Sequence, residues 1–119
     1  MMKFIAFYSL LLGTAMLGLW SLILSTGEIP EGRTEFSFHL VSEFLMALAC
    51  MGAGILVLIH HRSGWGLALA AHGMVAYSVL NAAGYYAQRG ERMLPVVFVI
   101  LFVISLTIIY SLIKRKISL

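Results

Sequence analysis

In this chain of 119 residues, 61% are hydrophobic and 11% are charged, and the formal net charge is +3. Soluble domains are roughly 45–50% apolar and about 25% charged, and a globule this small hides only about two thirds of the surface its unfolded chain exposes, so a water-soluble fold is excluded and lipid is the solvent that fits. The single cysteine, Cys50, excludes an intramolecular disulfide framework and a cysteine-rich zinc site, and the cations gather at the ends of apolar stretches, where they meet anionic headgroups rather than nucleic acid.

The first apolar stretch runs over 4–24, Phe4 to Leu24. Its length, about that needed to cross ~30 Å of hydrocarbon as a helix, exceeds the h-region of a signal peptide, and Ser21-Leu22-Ile23-Leu24 is a poor cleavage site, so it reads as a retained span. Ser9 with Gly13, and Thr14 with Gly18, have the four-residue spacing that lets helix backbones approach closely. A turn-rich segment from Ser25 to Glu35 follows, carrying Glu28, Glu31, Glu35 and Arg33.

The second stretch, 38–59, gathers small residues at Ala47, Ala49, Cys50, Gly52, Ala53 and Gly54, with Ala49/Ala53 and Cys50/Gly54 as candidate packing pairs. It also carries Glu43, the sole acid inside a span, and His39 four residues earlier on the same helical face. Burial favours the neutral carboxyl and a neighbouring imidazolium favours the charged one, so this pair can share one proton, carry protons or hold a cation. The bland reading makes Glu43 a hydrogen-bonding group that fixes helix register. Ionisable groups in a span are costly, which keeps the functional reading open.

After His60-His61-Arg62-Ser63-Gly64-Trp65 comes the third stretch, 66–87, with Gly66/Ala70 as its small pair. Tyr77, Ser78, Asn81 and Tyr85 share one face. Antiparallel neighbours put Asn81 at about the depth of Glu43, which gives a candidate polar pocket of His39, Glu43, Asn81 and Tyr85; a row of interhelical hydrogen bonds would look the same. His72 falls half a turn away from Asn81 and matches Cys50 in depth. Two ligands make a poor zinc site, so Cys50 and His72 are weak metal candidates. His39 and His72 differ in depth by about 15–20 Å, too far to share a haem iron. His60 and His61, beside Arg62, read as headgroup contacts.

Gln88 to Met93 link to the fourth stretch, 94–113, with Pro95 in its first turn, where a missing amide is tolerated. Its run Val96 to Ile104 has no small residue and suits lipid, leaving helices one to three as the packed centre. Trp65, Tyr85 and Tyr86 fall at helix ends, where an aromatic belt belongs. The fold expected is all-α, a four-helix transmembrane bundle forming one domain over 1–119, because apolar runs of this length satisfy their backbone only as helices. One side of the membrane holds five lysines and arginines (Lys3, Arg62, Lys114, Arg115, Lys116) and the other three (Arg33, Arg89, Arg92), which places both termini in the cytoplasm.

The strings Phe38-His39-Leu40-Val41-Ser42-Glu43-Phe44, Gly73-Met74-Val75-Ala76-Tyr77 and Asn81 to Gly90 resemble those of small four-helix membrane proteins of bacteria and archaea with no assigned activity. That resemblance covers about half the chain and implies a multi-pass protein of a prokaryotic inner or plasma membrane. The small multidrug-resistance transporters share the helix number and a buried glutamate, yet their essential acid lies in the first helix, which here has none. Only their exchange of proton for cation at one carboxyl remains as analogy. There is no catalytic signature, no phosphate-cradling glycine loop and no aspartate. The expectation is no enzyme and no cofactor. A structural or accessory subunit leads, partnered by membrane lipids and by its own copies or a larger membrane complex. A proton-coupled small-cation carrier or ion pathway using Glu43, and a binder of lipid or another apolar ligand, are the alternatives.

Overall fold

A computed structural model of the chain describes residues 2–25 and 33–118, without the side chains of 33–36 and 116–118. The acidic turn with Glu28 and Glu31, and the side chains of Arg33, Glu35 and Lys116, therefore lie outside the described residues. The described chain is all-helical: α1 Met2–Ser25, α2 Arg33–Leu58, α3 Ser63–Gln88 and α4 Met93–Ser118. All four are long and apolar enough to cross a membrane. The helices extend beyond the apolar runs that mark them in the sequence, most at the start of α2 and the end of α4, except that α2 stops at Leu58, one residue short of its run. Helices of 24–26 residues reach about 36–39 Å, longer than the ~30 Å of a hydrocarbon layer.

The chain forms two compact units, residues 1–68 and 69–119. In the first, α1 and α2 run antiparallel. Ala6 and Leu10 meet Gly54, Gly13 meets Ala47 and Met51, and the Trp20 ring meets His39, so one number falls as the other rises. Positions 6, 13 and 20 are seven apart, the repeat that keeps one stripe of a helix facing its partner. On α2 the buried residues Met46, Ala47, Cys50, Ala53 and Val57 trace the matching stripe.

The approach is close because each level pairs glycine with alanine. A methyl group on Gly13 would lie 2.7 Å from the Ala47 carbonyl oxygen, and one on Gly54 would lie 2.8 Å from that of Ala6. Ser9 and Cys50, both fully buried, belong to the same stripes between these levels. The pairs Ser9/Gly13 and Cys50/Gly54 therefore pack as their spacing suggests. Gly18 does not: it has open space around it, and Thr14 is exposed, because that pair points away from the seven-residue stripe.

Two turns share one backbone design. At the end of α2 the His61 amide donates to the Leu56 carbonyl (2.9 Å) and the His60 amide to that of Val57 (3.1 Å), with His60 at φ 57°. At the end of α3 the Glu91 amide donates to Tyr86 and the Gly90 amide to Ala87, both at 3.1 Å, with Gly90 at φ 82°. Both are Schellman caps, which satisfy carbonyls that the helix end leaves over. His61 Nδ1 then accepts the Ser63 amide at 3.1 Å and so caps the start of α3. Gly64 is required there, since a methyl group would sit 2.9 Å from the Val57 nitrogen.

In the second unit the buried stripe of α3 is Ala71, His72, Val75, Ala76, Val79 and Ala83, and that of α4 is Ser105, Ile108 and Leu112. The opposite edge of α3 is open: Gly66 and Ala70, expected to pack, are exposed and continue into Gly73, Tyr77, Asn81 and Gly84. Val96, Val97, Val99, Ile100 and Val103 of α4 are exposed, as the run of large residues suggests. In the first unit, α1 contributes Ile5, Ala6, Ser9 and Gly13 to the buried seam. Phe4 and Phe7 of α1 are exposed, while Leu10 meets Gly54 in the seam.

Candidate functional site

The end of the α1–α2 seam nearest Trp20 and His39 is where its chemistry changes. The stripe of α2 continues from Ala47 and Met46 back to Glu43 and His39, and that of α1 runs forward to Trp20. His39 Nε2 lies 3.6 Å from Glu43 Oε1, the contact expected from their spacing. At that distance it is an ion pair when the imidazole is protonated, and too long for a hydrogen bond. The Glu43 side chain is 12% exposed and that of His39 56%, so the carboxylate sits inside the seam and the imidazole at its rim. The Trp20 and His39 rings meet in a T-shaped contact, with centroids 5.5 Å apart and planes at 70°.

Trp20 is the participant that sequence reading missed. Its signal was the seven-residue interval from Ala6 and Gly13, which no single small-residue pair reveals. Ser42, by contrast, is occupied locally: its hydroxyl donates to the Phe38 carbonyl at 3.0 Å, the usual way a hydroxyl is satisfied within a helix.

Asn81 and Tyr85 belong to the second unit. Asn81 is exposed on the open edge of α3, half a turn from the buried His72, as their spacing requires. Tyr85 is committed to the helix end. Its ring lies 3.5 Å from the Arg89 guanidinium carbon, its carbonyl accepts from Arg89 Nη1 at 3.1 Å, and its edge meets Tyr86 at 5.1 Å. Tyr86 in turn stacks on Phe98 at 5.8 Å, which ties the start of α4 to the end of α3. Of the four residues expected to line one pocket, His39 and Glu43 belong to the first unit, and Asn81 and Tyr85, four residues apart on α3, to the second.

The metal candidates are both fully buried, Cys50 in the seam of the first unit and His72 in the stripe of the second. Among the described residues, no three of histidine, cysteine, aspartate or glutamate come together as a metal-holding group. His60 and His61, expected to touch headgroups, shape the α2–α3 turn, one through its backbone and the other through its ring.

A family described as a domain of unknown function (DUF8058) matches residues 1–118. No curated protein matches the chain, and no solved structure does.

Proposed function

The chain belongs to the DUF8058 family, a domain of unknown function, and on that premise we propose that it is a small multi-pass membrane protein acting through helix packing, as a structural or accessory subunit. Its partners are membrane lipids and either its own copies or the helices of a larger assembly. The open edge of α3 carries this reading. Gly66, Ala70, Gly73, Tyr77, Asn81 and Gly84 recur every three or four residues along an exposed face, and no atom lies within 4 Å of a methyl group built on Gly66, Gly73 or Gly84. In lipid, such faces bring helices together through close backbone approach and side-chain amides. Asn81, some 10 Å from the end of α3, has an amide that hydrocarbon cannot satisfy. Both termini lie on the cytoplasmic side in this reading, from the five-to-three distribution of cations.

The test uses the emptiness of that face. Gly73→Leu fills space that the chain itself does not use, so helix content and monomer stability stay at the wild-type level while disulfide crosslinking or co-purification of partners in mild detergent drops. Association that survives both Gly73→Leu and Asn81→Leu overturns the proposal.

A second reading, a proton-linked cation pathway, draws on the nearly buried Glu43 with His39 and Trp20 around it. Glu43→Gln keeps the shape and removes the charge. It abolishes proton-linked flux in reconstituted vesicles under this reading, and leaves partner association intact under the first.

A further inference from the structure

The α3–α4 turn holds an arginine in a geometry more specific than a helix cap needs. Arg89 follows directly on α3, its guanidinium stacks 3.5 Å from the centre of the Tyr85 ring, and Nη1 donates to the Tyr85 carbonyl at 3.1 Å. That ring is itself held by Tyr86, and Tyr86 by Phe98 at the start of α4. A guanidinium has five N–H donors in one plane. One is used by the carbonyl and the face is covered by the ring, so the remaining donors lie along an edge of an exposed residue. Fixing the fork in advance removes the rotamer entropy that a free arginine loses on binding.

Depth identifies what meets that edge. The 26 residues of α3 span about 39 Å. Centred in a ~30 Å hydrocarbon layer, the helix overshoots by about 4–5 Å at each end. Arg89 then stands in the phosphate layer, with Tyr85 and Tyr86 at the aromatic-belt level beneath it and Arg92, also exposed, on the same turn. Planar donors at that depth match the paired oxygens of a phosphodiester.

We propose that the turn from Tyr85 to Arg92 is a binding site for the phosphate of an anionic glycerophospholipid, with Arg89 as the bidentate donor and Tyr85 as the residue that positions it. The site depends on the chain spanning a bilayer and is independent of what covers the open edge of α3.

Native mass spectrometry of the full chain in mild detergent, titrated with phosphatidylglycerol, tests it. Arg89→Gln lowers apparent lipid affinity about tenfold, the worth of one good charge-assisted contact, while Arg62→Gln, at the other end of α3, changes it less than about twofold. Arg89→Lys keeps the charge and loses the flat fork, and falls several-fold. Tyr85→Phe retains the ring and binds as wild type; Tyr85→Leu loses the platform and weakens. Helix content by circular dichroism is unchanged throughout, which separates the site from folding. Equal binding by Arg89→Gln and wild type overturns the proposal. So does an Arg62→Gln loss as large as that of Arg89→Gln, which makes the attraction unspecific, or complete displacement of lipid by millimolar inorganic phosphate, which makes the ligand a free anion.

Discussion

His60 and Gly90 occupy the same position in the two Schellman caps, at φ 57° and 82°, yet only one of them is a glycine. A side chain in the left-handed region costs on the order of 1–2 kcal/mol, so His60→Gly is expected to stabilise the chain by about 1 kcal/mol and Gly90→Ala to destabilise it by a similar amount. Denaturation in mixed detergent micelles, followed by circular dichroism, reads both, and equal signs for the two would refute the account. Next to it, His61 accepts the Ser63 amide through Nδ1, a role open only while that nitrogen carries no proton. His61→Ala should cost about 0.5–2 kcal/mol, as loss of an N-terminal cap does. None of this was legible in the sequence. Two histidines beside an arginine look like surface cations, and only the backbone conformation distinguishes a helix cap from a headgroup contact.

At the scale of elements, the α1–α2 pair depends on two glycines that face alanine backbones at 2.7 and 2.8 Å from where a methyl group would stand. Gly13→Ala and Gly54→Ala are each expected to cost about 1–3 kcal/mol through overpacking, with leucine at either position separating the helices. Gly18 is the internal control: nothing lies within 4 Å of an added methyl group, so Gly18→Ala leaves stability unchanged or slightly raised through helix propensity. Disulfide trapping between cysteines placed on the facing seam would show loss of contact for the first two and none for the third. The existence of the four helices was readable, because apolar length in lipid leaves the backbone no other arrangement. Which small pair packs was half readable. Four-residue spacing occurs on several faces, and the choice among Ser9/Gly13, Thr14/Gly18 and Gly66/Ala70 belongs to the register between helices. The adjacency of His39 and Glu43 was legible for the opposite reason, since residues four apart on one helix meet whatever surrounds them.

For the molecule as a whole, the proposed function turns on the exposed edge of α3. If the open edge of α3 is an association face, Gly73→Leu and Asn81→Leu shift the detergent-solubilised protein to smaller species in sedimentation while leaving its unfolding unchanged, and Gly13→Leu does the reverse. That crossed pattern separates an intermolecular face from an intramolecular seam. By itself the sequence determined the all-helical class, the four apolar helices, the exposure of the large residues Val96, Val97, Val99, Ile100 and Val103 at the start of α4 and the pairing of His39 with Glu43, because solvent, hydrogen bonding and helical period act locally. Tertiary structure decided the rest: that the Trp20 ring meets His39, that Tyr85 carries Arg89 and that Gly66, Gly73 and Gly84 of α3 stand open. These depend on which stripe of one helix meets which stripe of another, a choice made by the sum of many small packing energies that no single residue or spacing carries.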